Sequence, residues 1–121
     1  MRRTCMLLAV FGLVLLTGCG DSITGQWRVV EVNPSTARSW FTLDEMTLRD
    51  DGTALLRYRG PDGPAESEGR YERNQSELRL RGPGVGDLGT ADAWLFDLGA
   101  HLRLTYARPD GLVQVLLRRG R

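Results

Sequence analysis

Met46-Thr47-Leu48-Arg49-Asp50-Asp51-Gly52-Thr53-Ala54-Leu55-Leu56-Arg57-Tyr58-Arg59 is the stretch that decides the fold. Met46 and Leu48 point one way along an extended chain. Asp50-Asp51-Gly52 then reverses it, a strong two-strand turn signal. Beyond the turn, Ala54, Leu56 and Tyr58 share one side and Arg57 and Arg59 the other. A period of two on both flanks of an Asp-Gly turn predicts an antiparallel hairpin with one buried face.

The same pattern continues outward. A first strand is expected over Gly25–Val32, with Trp27 and Val29 on one face, and the hairpin's first arm over Phe41–Arg49. Gly60-Pro61-Asp62-Gly63-Pro64 turns the chain, since Pro presets φ and Gly supplies positive φ. Further strands carry Gly69 and Tyr71, then Leu78 and Leu80, then Trp94, Phe96 and Leu98. The last two carry Leu102, Leu104 and Tyr106, and Val113, Val115 and Leu117. Gly82 to Thr90 reads as a glycine-rich loop. Strands in sequence joined by turns predict an all-β, eight-stranded antiparallel up-and-down barrel, whose interior holds side chains or one small ligand. The expected interior aromatics are Trp27, Tyr58, Tyr71, Trp94, Phe96 and Tyr106, enough to fill a small barrel.

The N-terminus carries an address. Arg2 and Arg3 precede an uncharged apolar run, Met6 to Leu16, which ends in Leu16-Thr17-Gly18-Cys19. The run suits a signal h-region and is too short for a spanning helix, which needs about 20 residues. The segment resembles a bacterial lipoprotein signal with its lipobox. The resemblance implies cleavage between Gly18 and Cys19, acylation of Cys19, and a protein anchored by lipid in the bacterial cell envelope. Residues 1–18 are then signal, 19–24 a lipidated tether and 25–121 the barrel. Gly20, not Asp, follows Cys19, which leans toward the outer membrane.

Composition narrows the rest. With Cys5 removed and Cys19 acylated, the domain has no disulfide and no cysteine metal site. The chain has no lysine, and losing Arg2 and Arg3 leaves fourteen arginines against fifteen acids. That balance argues against nucleic acid as a partner. His101 is the single histidine, so neither a zinc site nor a Cys/His pair can be assembled. Asp50 and Asp51, as strand-end neighbours, suit a turn better than acid–base work. Gly84-Val85-Gly86-Asp87-Leu88-Gly89 matches a dinucleotide fingerprint in letters only, because a strand follows where a helix is required. It reads instead as a mobile flap. No catalytic residue, metal or cofactor is expected.

Gly25-Gln26-Trp27 at the head of the first strand, Asp51-Gly52-Thr53 and Gly69-Arg70-Tyr71 together resemble small bacterial lipocalin-like lipoproteins. The chain is shorter than a full lipocalin and lacks the Thr-Asp-Tyr motif and the helix after strand eight. The resemblance implies that an arginine late in the last strand packs on Trp27. Arg118 and Arg119 are the candidates, with Arg118 taken as the motif residue beside Gly25 and Trp27.

Strand order sorts the loops. Gly20 to Thr24 span at most about 17 Å, so the first strand begins near the lipid. The short turns at 50–52, 74–76 and 98–100 share that anchor end. The longer connections at 33–40, 60–65, 82–90 and 108–111 gather at the distal end, where Trp40, Phe41, Gly84 and Gly86 mark the mouth. Trp40 and Phe41 either meet an apolar ligand or partner, or cap the core. Arg118, Arg119 and Arg121 return to the anchor end, where they either reach lipid phosphates or form a solvated tail. Two functions follow: a non-enzymatic binding module for a small apolar or amphipathic ligand, or a structural or protein-interaction module of the envelope with a filled barrel.

Overall fold

The computed structural model describes residues 22–120. Eight strands run in order: β1 Gly25–Asn33, β2 Leu43–Leu48, β3 Thr53–Gly60, β4 Gly63–Asn74, β5 Glu77–Gly82, β6 Gly86–Phe96, β7 His101–Arg108 and β8 Gly111–Arg119. Each pairs antiparallel with the next, and β1 pairs with β8 to close the barrel. Closure leaves no unpaired edge. The one helical element among the described residues is a 3-10 helix, Ser35–Ser39, between β1 and β2.

The hairpin of β2 and β3 forms as its sequence demands. Met46 faces Leu56 and Leu48 faces Ala54, all buried. At the turn, Asp51 accepts hydrogen bonds from the Thr53 amide (3.0 Å) and hydroxyl (2.7 Å). Those two donors hold the Asp51 carboxyl below its ordinary range. The Tyr71 hydroxyl reaches over from β4 and donates to the Arg49 carbonyl at 2.5 Å.

Three bulges interrupt the period of two. One falls in β1 between Val29 and Glu31 and one in β2 between Leu43 and Glu45. The third lies in β6, where Asp87 pairs with Arg81 and Thr90 with Arg79, so two β6 residues oppose one on β5. Each bulge adds a residue and flips the inward parity beyond it. In β6 the extra residue is accommodated at Gly89, whose φ of +84° favours glycine. Leu88 is therefore buried, and so are Ala91 and Ala93, three and five positions on.

This overturns the expected face of the sixth strand. Trp94 is 64% exposed and Leu98 fully so, while Phe96 lies half-buried on the outer side. The inward residues are small because leucines stand beside them: Ala91 pairs with Leu78 and Ala93 with Leu104. Element ends also shift. β2 starts at Leu43, not Phe41, because Arg38 donates to the Phe41 and Leu43 carbonyls at 3.1 and 2.8 Å. The segment expected as a long flap is mostly β6, leaving a tight turn at residues 83–85.

Candidate functional site

At the end where β1 begins and β8 finishes, these strands bring Trp27 opposite Arg119 and Arg28 opposite Arg118. Directly opposed residues share a face, so Arg119, not Arg118, stacks on Trp27, its guanidinium carbon 4.3 Å from the ring. Arg119 also donates to the carbonyls of Thr24 (2.8 Å), Gly99 (2.8 Å) and Ser22 (3.3 Å). The Trp27 indole N–H donates to the Ile23 carbonyl at 2.9 Å, and Ile23 is buried. Ser22 to Thr24 are thereby fastened under the barrel. Arg119 is committed to these partners, leaving Arg118 as the exposed cation on that strand. Gly18, Cys19 and Arg121 lie outside the described residues.

The distal end is plugged. Phe41 is wholly buried and Trp40 half-buried. Trp40 meets Tyr106 edge-on at 5.6 Å, and Phe41 lies 5.9 Å from the same ring. The Arg108 guanidinium covers Trp40 at 3.8 Å. Burial pushes the Tyr106 hydroxyl well above the ordinary tyrosine range. Of the two readings for Trp40 and Phe41, capping the core is the one that the geometry supports. Gly84 sits against Tyr58, whose hydroxyl occupies the space that a side chain there would need, and Gly86 opens β6 toward solvent.

Between the two ends the barrel is densely packed at its centre. Trp27, Phe41, Leu43, Met46, Leu56, Leu80, Leu102 and Leu104 have no accessible surface. A void large enough for one water would give its lining side chains such surface. The leucines and Met46 fill the space expected for aromatics, and Tyr58 and Tyr71 lie at the rims, half-buried.

Recessed space remains in a recess of about 280 Å³ beside Trp40 and Leu112 at the distal end, and in larger grooves on the outer wall. A groove of about 610 Å³ runs beside Arg28, Glu45, Arg57 and Glu66. These residues are cross-strand neighbours on four successive strands. Arg57 pairs with Glu45 and with Glu66, each at 3.5 Å, so the charges there largely answer one another. A second groove of about 440 Å³ lies over β1, β8, β7 and β6, lined by Glu31, Asn33, Phe96, Arg103, Gln114 and Leu116. Here Arg103 stacks on Phe96 at 5.3 Å. Trp94 pairs with Arg103, which pairs with Leu116, which pairs with Glu31. Exposed Trp94, half-buried Phe96 and Leu116, and Arg103 therefore form one amphipathic outer face. The sequence signal for it was Gly89, whose bulge decides where Trp94 points.

Chemistry is sparse elsewhere. His101 Nδ1 lies 2.9 Å from the Asp97 carboxylate without hydrogen-bond geometry, and the imidazole stacks on Phe96. No group of three His, Cys, Asp or Glu that could hold a metal occurs among the described residues. Asp87 is bound by Arg79 and by the Gly89 amide, which together hold its carboxyl down at about 2.

A lipocalin-like protein from Bacteroides uniformis superposes with a TM-score of 0.55 at 14% identity, covering 81% of this chain and 98% of that one. The fold is lipocalin-like. An uncharacterised protein from Bacteroides eggerthii is equally similar, with a TM-score of 0.54 at 14% identity over 82% of this chain and 100% of its own. No family model matches the lipocalin-like chain, and no curated protein matches it. At this identity the likeness carries the barrel and not an activity.

Proposed function

We propose that the chain is a lipid-anchored, non-enzymatic module of the bacterial envelope, more in keeping with the outer than the inner membrane. In this reading its densely packed barrel presents an outer face to a protein partner. The observation that carries it is the group of central side chains without accessible surface. A barrel filled by Trp27, Met46, Leu56, Leu80 and Leu104 leaves the outer wall to do the recognising. The face around Trp94 has what protein contacts favour: an exposed tryptophan, an arginine beside it and half-buried apolar neighbours. The balanced net charge argues against nucleic acid, and the anchor is Cys19.

The test is photo-crosslinking in the cell. A photoreactive side chain replacing Trp94 is expected to trap a discrete protein, and the same group at exposed Arg70 on β4 is not. Equal labelling at both positions, or none at either, argues against the face. Metabolic labelling with a fatty acid, lost in Cys19→Ala, tests the anchor separately.

A further inference from the structure

We infer that the β6–β7 turn is a second membrane contact, in which Leu98 enters the headgroup region beside the anchor. The inference rests on the reading of Cys19 as acylated. Leu98 is fully exposed and stands in the left-handed region at φ 55°, after Asp97 at φ 61°. Leucine gains nothing locally from that conformation. The turn is nevertheless well built: the Gly99 amide donates to the Phe96 carbonyl at 3.2 Å and the Ala100 amide to the Asp97 carbonyl at 3.0 Å. Leu98 is the most exposed large apolar side chain among the described residues.

What points this prong at lipid is the Arg119 guanidinium. It binds the Gly99 carbonyl with one N–H and the Ser22 and Thr24 carbonyls with others. The turn and the end of the tether are thus held by one side chain. Cys19 is three residues before Ser22 and stands within about 11 Å of it along the chain. An acyl chain at Cys19 therefore brings the bilayer surface to the Leu98 turn. Exposed Arg118, next along β8, adds a cation suited to lipid phosphate. Apolar groups at such a surface settle roughly 5–10 Å into the headgroup boundary.

The test uses the full-length protein, made with its lipid and reconstituted into phosphatidylethanolamine–phosphatidylglycerol vesicles. An environment-sensitive fluorophore is attached through Leu98→Cys or, in a second preparation, Asp62→Cys at the distal β3–β4 turn. Spin-labelled lipid is expected to quench position 98 at least about twofold more than position 62, as a group in the boundary requires. Equal quenching, with mass spectrometry showing acylated Cys19, overturns the inference and leaves the anchor reading standing. Absence of acyl mass on Cys19 overturns both.

Discussion

Arg119 joins three carbonyls and an indole ring, and removing it leaves all of them without their cation. Hydrogen bonds to a charged group contribute about 1.5–3 kcal/mol and a cation–π contact about 0.5–2. These terms overlap, so Arg119→Leu is expected to lower unfolding stability by about 2–4 kcal/mol in urea titration. Arg118→Leu, one residue away on the outer face, is expected to stay within about 0.5 kcal/mol. Equal effects from the two substitutions would mean that the stacked arginine is misassigned. Asp87 offers a pH signature. Its folded carboxyl sits at about 2, below the ordinary value of about 3.9. Its contribution is therefore complete above about pH 5 and fades as pH falls toward 2. The melting-temperature gap between wild type and Asp87→Asn should shrink across that window. Tyr106 acts at the other extreme. Burial raises it, so its contribution holds below the ordinary value of about 10 and is lost above it.

At the scale of elements, the bulges decide what reading in twos cannot. Gly89→Val forces a branched side chain into φ +84°. It is expected to cost about 1–2 kcal/mol and to shift the environment of Trp94, read by its fluorescence. Gly69→Ala tests the closest approach between strands. A Cβ there would stand 2.4 Å from the Arg81 carbonyl oxygen and 2.9 Å from Leu56, a clash of the kind that costs about 1–3 kcal/mol. Wild-type stability in Gly69→Ala would mean that β4 and β5 are not so close. The eight strands and the β2–β3 hairpin were legible because alternation and Asp-Gly turns are local signals. Trp94, Phe96 and Leu98 form a convincing alternating set in sequence, yet the inward face belongs to Ala91 and Ala93. What decides between them is Leu78 and Leu104 across the ladder together with one extra residue at Gly89, and neither is local. The choice of Arg119 over Arg118 turned likewise on the register between β1 and β8. Phe41 as a plug was open in the sequence, because Tyr106, sixty-five positions later, supplies the ring that it meets.

At the scale of the whole molecule, the described residues form a lipocalin-like barrel whose ends are shut by different means. Arg119, Trp27 and Ile23 close the end where β1 begins; Trp40, Phe41, Tyr106 and Arg108 close the other. Between them Trp27, Phe41, Leu43, Met46, Leu56, Leu80, Leu102 and Leu104 keep no accessible surface. That packing separates a surface-acting module from a carrier. Native mass spectrometry of the protein extracted from its own membrane tests it most directly. The expected result is a single species with the mass of the acylated chain and no additional non-covalent ligand. A stoichiometric small molecule, retained until unfolding and shed with loss of Trp27 burial, would contradict it.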